Sequence, residues 1–273
     1  MANRALFFIF LSFSIHSAMG QDLLVFINGY RGPKYDKQQP NNQLHYKDPT
    51  GYWYQLDDTI RQRFPTAKAV YFDAHHPLST STHLRFSKAL RSYVFSRFCW
   101  IRKNSHWVLN KKINESGFQQ RVENGRLAGM ALKEALNGSG VKKIHFVCHS
   151  MGYAYMLGMI DILENEVQFG KVLILSPEGA NTQGRNWGLF EEVWQYGAHA
   201  DDKLSDPICF QDGIAPQQPV VGIEQLPTGT LGGRIYIPEN YPRKKLGFIK
   251  SHHLAYYDWF KLIGPTDFGY FAE

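Results

Sequence analysis

The sequence predicts an α/β protein built on an open, mostly parallel sheet with helices on both faces, and three observations carry that reading. Short, continuously apolar runs recur along the chain, and the segments between them repeat their apolar residues at helical spacing. Alternation of that kind specifies parallel strands joined by helical crossovers, and a parallel sheet needs cover on both sides. The 273 residues are 44% hydrophobic and 20% charged, enough apolar material for a sizeable core, which excludes a disordered or collagen-like chain. No internal linker, repeat or low-complexity stretch divides the sequence, so a single domain is expected after the N-terminal segment.

That segment, Met1–Gly20, starts with Arg4, continues through the 11-residue apolar run Ala5–Ile15 and closes on small residues at Ala18 and Gly20. These are the three parts of a secretory signal peptide, too short in its apolar centre to span a bilayer, which takes about 20 residues. Cleavage before Gln21 is expected, giving a secreted or periplasmic protein of residues 21–273. In that setting Cys99 and Cys209 have the opportunity to pair, although three cysteines with no spacing rule leave the pairing open.

Leu23–Ile27 is continuously apolar and closed by Asn28-Gly29, as a strand buried on both faces should be. A helical stretch around Leu56–Phe64 precedes a second strand at Ala69–Phe72. A long helix is predicted over Gly117–Leu136, where Val122, Gly125, Gly129, Leu132 and Leu136 share a face and Asn137-Gly138 supplies a stop. Its small residues suggest close seating on the sheet. The third strand is Lys143–Cys148, the helix after it Gly152–Leu163, and the fourth strand Val172–Leu175. Val193–Tyr196 and Leu246–Ile249 are further strand candidates.

Two regions break the rhythm. Leu84–Lys112 carries eight basic side chains and no acidic one, interleaved with Phe86, Tyr93, Phe95, Phe98, Trp100 and Trp107. It reads either as a cap whose aromatic side lines a pocket while its cations meet anionic headgroups, or as an insertion with buried aromatics and solvated cations. Nucleic-acid binding is not expected: no motif supports it, and the net charge of +6 is modest for this length. Ser205–Arg243 is rich in Pro and Gly and reads as a long, mostly irregular excursion.

The chemistry concentrates at Cys148-His149-Ser150-Met151-Gly152, between a buried strand and an apolar helix. A strand turning sharply into a helix lifts the turn residue above the sheet edge, and the positions two before and two after it must be small. Cys148 and Gly152 meet that condition, which leaves Ser150 as the raised residue with a helix N-terminus aimed at it. His149 beside it is read as a packing residue. His75, His76 and His83 lack the carboxylate or cysteine spacing of a metal site and read as loop residues. Gly232-Gly233 is not followed by the Lys-Ser/Thr of a phosphate loop.

His149-Ser150-Met151-Gly152 resembles the nucleophile elbow of the α/β-hydrolase superfamily in its lipase and esterase form, with Cys148 where that family commonly has Gly. The resemblance implies an α/β-hydrolase fold with an inserted cap at about residues 79–116. It also implies that the loop Asn28–Gly32 supplies a backbone N–H to an oxyanion hole, with Asn28 standing where His is commoner; the N–H groups of Tyr30 and Met151 are the expected donors. Serine needs a base and the base an orienting acid, in the chain order Ser, Asp or Glu, His. Of the histidines after Ser150, the family pattern favours His252, with His253 the alternative, whereas His199 reads as a surface loop residue. For the acid, Gln211-Asp212-Gly213-Ile214-Ala215-Pro216 resembles the Asp-Gly-x-x-Pro loop of bacterial lipases, which favours Asp212; Asp201 and Asp202 follow a strand candidate more closely, Asp206 is a further alternative, and Glu178 and Glu239 are weaker candidates.

What the resemblance implies is a secreted lipase or esterase acting on a small-molecule or lipid ester. It needs no cofactor or metal and allows peripheral contact with an anionic membrane surface. A peptidase or acyltransferase with the same machinery, and a non-catalytic binding protein of the same fold, are the alternatives.

Overall fold

The computed structural model describes residues 21–29, 51–74, 111–197 and 219–237, together with Tyr241, His252, Leu254, Trp259 and Phe260; for 111–117 it describes the backbone alone. Among the described residues six strands form one sheet: β1 (Leu23–Ile27), β2 (Lys68–Phe72), β3 (Lys143–His149), β4 (Gln168–Leu175), β5 (Phe190–Gly197) and β6 (Leu231–Tyr236). Every pairing is parallel, in the spatial order β2-β1-β3-β4-β5-β6. The α-helices among the described residues are α1 (Leu56–Arg61), α2 (Lys111–Leu136) and α3 (Gly152–Leu163).

β1 shows why the sheet must be covered on both sides. Its five residues are all buried, and alternate ones point into different layers. Leu23, Val25 and Ile27 join Val122 and Leu132 of α2 and most of α3 in one core. Leu24 and Phe26 join Trp53, α1 residues Leu56 and Ile60, and the distant Leu254, Trp259 and Phe260 in the other. Phe26 stacks on Tyr71 at 5.0 Å between ring centroids and meets Trp53 edge-on at the same separation. Truncating such a residue to alanine costs about 3–5 kcal/mol.

Several elements match the sequence reading to within a residue: β1, β2, β3 and α3. Helix α2 begins at Lys111 rather than Gly117, and its expected stop is realised, with Gly138 at φ +72° beyond Leu136. The glycines on that face of α2 meet α3 rather than the sheet. A Cβ on Gly125 would lie 1.9 Å from the Tyr155 carbonyl oxygen, and one on Gly158 1.9 Å from that of Val122, so glycines on both helices bring α2 and α3 into backbone contact. The spacing of small residues shows that something comes close, but not which neighbour.

Strand β4 starts four residues earlier than the apolar run Val172–Leu175, because a bulge interrupts it. The register passes from Ile144↔Phe169 to Phe146↔Val172, setting Gly170 and Lys171 opposite the single residue His145. His145 Nδ1 accepts the Lys171 N–H at 2.9 Å, and a Cβ at Gly170 would lie 2.2 Å from the imidazole Cε1. A glycine and a lysine in the bulge break the apolar run and so disguised a buried strand.

The excursion expected over Ser205–Arg243 contains strand β6, which corrects that reading within Leu231–Tyr236. Gly232 and Gly233 looked like loop residues. In the structure Gly232 takes φ +148°, and a Cβ there would lie 1.9 Å from the Val193 carbonyl oxygen of β5. Glycine serves close strand approach at this position. The strand candidate Leu246–Ile249, the signal segment, and residues 79–110 of the expected cap lie outside the described residues. Among the described residues no helix is long and apolar enough to cross a membrane.

Candidate active site

The order of the strands locates the region where a site is expected. From β1 the chain moves outward to β2, then crosses back to β3 and proceeds the other way, so the winding reverses between β1 and β3. In open parallel sheets ligands bind at the carboxyl ends of the strands at such a switch point. The residues just beyond those two ends are Asn28-Gly29 and Ser150-Met151.

Ser150 has φ +55°, a left-handed conformation that costs a non-glycine residue about 1–3 kcal/mol and persists only where the surroundings enforce it. They do so with three backbone hydrogen bonds. The Ser150 N–H donates to the Leu175 carbonyl at 3.0 Å, while its own carbonyl accepts from Tyr153 at 3.1 Å and from Glu178 at 3.0 Å. The flanking small residues have visible reasons. A Cβ on Gly152 would lie 2.7 Å from the carbonyl oxygens of both Ile27 and Asn28. Cys148 sits fully buried between its register partners Ile27 and Ile174, and burial pushes its thiol well above the ordinary range, away from nucleophilic use. Met151, the N-cap of α3, presents its N–H in the first turn, where helical amides have no intrahelical acceptor.

The loop after β1 is drawn onto this bend. A Cβ on Gly29 would lie 2.7 Å from both Ser150 Cβ and Tyr52 Oη. Asn28 clasps the end of β2: its Nδ2 donates to Asp73 Oδ1 at 2.9 Å, and its Oδ1 accepts from the Ala74 N–H at 3.0 Å. An amide carries both a donor and an acceptor for that clasp.

His252, 102 residues downstream of the serine, brings Nε2 to 3.0 Å from Ser150 Oγ. For Nε2 to take the hydroxyl proton, the neutral ring must carry its own proton on Nδ1. The adjacent His149 is buried and engaged on both sides. Its Nδ1 lies 2.6 Å from Tyr52 Oη and its Nε2 2.7 Å from the backbone carbonyl of His252.

Of the residues singled out from the sequence, the structure brings Ser150, Met151 and His252 together. Glu178, one of the weaker acid candidates, forms a buried ion pair with Arg121 at 3.3 Å. Asp212, Asp201, Asp202, Asp206, Glu239, His199, His253 and Tyr30 lie outside the described residues, as do His75, His76 and His83. Among the described residues no group of three His, Cys, Asp or Glu side chains could hold a metal ion.

The sequence reading passed over Tyr52, which belongs to no motif, and over the Arg121–Glu178 pair. A signal for the latter existed: Arg121 lies three residues from Phe118 and next to Val122 on the apolar side of α2, where a lone cation requires a buried partner. A scan against protein-family models, a search of curated proteins and a search of solved structures each found no match to this chain.

Proposed function

We propose that this chain is a serine hydrolase of the α/β-hydrolase type that cleaves small-molecule or lipid carboxylic esters through an acyl-enzyme. The observation that carries the reading is the 3.0 Å contact between Ser150 Oγ, held at a left-handed bend, and His252 Nε2. A hydroxyl becomes a competent nucleophile when a base within hydrogen-bond reach takes its proton. The position of both groups at the switch point of a parallel sheet supports the same reading.

In this mechanism Ser150 Oγ attacks the ester carbonyl carbon as His252 Nε2 accepts the hydroxyl proton. The tetrahedral oxyanion is received by the Met151 N–H and, from the loop after β1, by that of Tyr30. Collapse breaks the bond to the alkoxy oxygen, which leaves with the proton held on His252. Water, deprotonated by the same imidazole, then attacks the acyl carbon and releases the carboxylic acid and Ser150. Asp212 is the proposed acid that orients His252 through its Nδ1–H. The basic, aromatic segment over about residues 79–110 is the proposed cap.

Ser150→Ala is expected to lower turnover of a p-nitrophenyl ester by at least about 10³-fold while leaving the circular dichroism spectrum and thermal midpoint near wild type. Undiminished hydrolysis by that variant sinks the assignment. The second reading, a binding protein on the same scaffold, is favoured by one observation: Ser150 is only 3% exposed. Labelling by a fluorophosphonate separates the two. Adduct formation at Ser150 demonstrates a reachable, activated hydroxyl; no adduct on the folded protein favours the binding reading.

A further inference from the structure

We infer that His149, steadied by Tyr52, is a positioning residue that holds the base His252 in place and is itself kept out of proton transfer. This rests on the hydrolase reading above for its kinetic consequences but not for its structural ones. Three remote parts of the chain meet here: the turn Gly51–Trp53, the end of β3, and the segment after β6. A backbone carbonyl only accepts, so the 2.7 Å contact with His252 O requires a proton on His149 Nε2. The neutral ring then leaves a lone pair on Nδ1, and Tyr52 O–H donates into it at 2.6 Å. The tyrosine thus selects the tautomer that the carbonyl needs.

Two consequences follow for the site. The side chains of Leu254, Trp259 and Phe260 anchor the C-terminal segment by apolar packing, which is non-directional, whereas the His149 bond grips His252 at its own peptide group. A base works only when its acceptor atom is held to a fraction of an ångström, so a directional bond at that residue bears on rate rather than on substrate affinity. The two imidazoles also lie 4.9 Å apart between ring centroids, close enough to compete for one proton. With Nδ1 occupied by the tyrosine and Nε2 already protonated, His149 presents no vacant basic site, and the proton goes to His252.

The test combines kinetics with a spectroscopic measurement. His149→Ala is expected to lower kcat for a p-nitrophenyl ester by about 10²-fold with KM nearly unchanged. His149→Gln, whose terminal amide offers an N–H near the position of Nε2, is expected to recover a large part of that loss. Tyr52→Phe keeps the ring and removes the tautomer-setting proton, and is expected to lower kcat by a smaller factor, up to about tenfold. Long-range ¹H–¹⁵N correlation spectra of the histidine rings in the unmodified protein are expected to show His149 protonated on Nε2 and bare on Nδ1, and Tyr52→Phe is expected to weaken that preference.

Unchanged kcat in folded His149→Ala, a glutamine variant no better than the alanine, or an Nδ1–H tautomer at His149 each overturns the inference. Should His149→Ala fail to fold, Tyr52→Phe and the spectra decide. Should the wild-type protein neither hydrolyse esters nor react with fluorophosphonate, the hydrolase reading falls and the tautomer measurement alone decides the positioning role.

Discussion

Gly29 illustrates how a single missing side chain sets the geometry of the site. A methyl group there would sit 2.7 Å from Ser150 Cβ and 2.7 Å from Tyr52 Oη, well inside contact distance of both. Neither neighbour is at liberty to retreat. Ser150 is tied by backbone hydrogen bonds to Leu175, Tyr153 and Glu178, and the Tyr52 hydroxyl is engaged by His149. Gly29→Ala is therefore expected to destabilise the fold by about 1–3 kcal/mol, in the range of overpacked cores. On the proposed hydrolase reading it is also expected to lower ester kcat by about 10²-fold through displacement of Ser150, the proposed nucleophile. Denaturant titration and steady-state kinetics read the two effects separately, and a variant with wild-type kcat would remove Gly29 from the account of the site. The sequence pointed to Asn28-Gly29 as a turn closing a strand. It did not show that the glycine faces the serine, because 120 residues of chain lie between them.

The helices and strands meet in the same manner, through glycines placed where two backbones touch. A methyl group on Gly125 of α2 or on Gly158 of α3 would lie 1.9 Å from a carbonyl oxygen of the other helix. Helix propensity alone favours alanine over glycine by about 1 kcal/mol, so an exposed glycine would gain stability from the change. Here the backbone of the partner helix has to move, and that cost wins. Gly125→Ala is expected to lower stability by about 1–3 kcal/mol net, with the substitution at Gly158 behaving alike. A melting temperature raised by either substitution would show that the two backbones are not in contact. One charged pair joins the two helices from outside, Arg126 of α2 reaching Asp161 of α3 at 2.8 Å, while Arg185, between β4 and β5, ties the same carboxylate to that stretch at 2.6 Å. The Arg126–Asp161 pair is partly exposed and contributes little, so the close approach rather than the charge governs this interface.

At the scale of the whole molecule, the bulge between β3 and β4 is expected to make stability depend on pH. His145 is buried against Phe64, and its Nδ1 is committed to accepting the Lys171 N–H. Desolvation is the largest influence on it and lowers its pKa from the ordinary 6.5; Asp22, 3.5 Å from Nε2, pulls the other way without prevailing. That carboxylate is the more exposed partner and the contact is long, so burial outweighs attraction. A ring that holds its proton less tightly when folded than when unfolded contributes its full stability above the unfolded pKa. That contribution shrinks as the pH falls through about 6.5 toward the folded value. The thermal midpoint of the wild-type protein is expected to fall between pH 7.5 and pH 5.5 more steeply than that of His145→Asn, whose side-chain oxygen accepts the Lys171 N–H without titrating. Parallel pH profiles for the two proteins would exclude His145 as a source of the dependence.

Composition and periodicity determined the layered α/β character of this protein, the position of β1, β3 and α3, and the small-serine-small pattern at the bend after β3. Those properties are local: they depend on which residues are apolar, at what spacing, and on which side chains a sharp turn tolerates. Tertiary structure decided the rest. It put His252 3.0 Å from Ser150, turned His149 from a neighbour in sequence into a link between Tyr52 and the His252 peptide, and made a strand of Leu231–Tyr236. Each of these rests on a contact between segments far apart in the chain; the family pattern favoured His252 as the partner of Ser150, but no local pattern names the partners of His149 or of β6. Glycine has no side chain to record which backbone comes against it, and a histidine in sequence does not say which nitrogen will carry the proton.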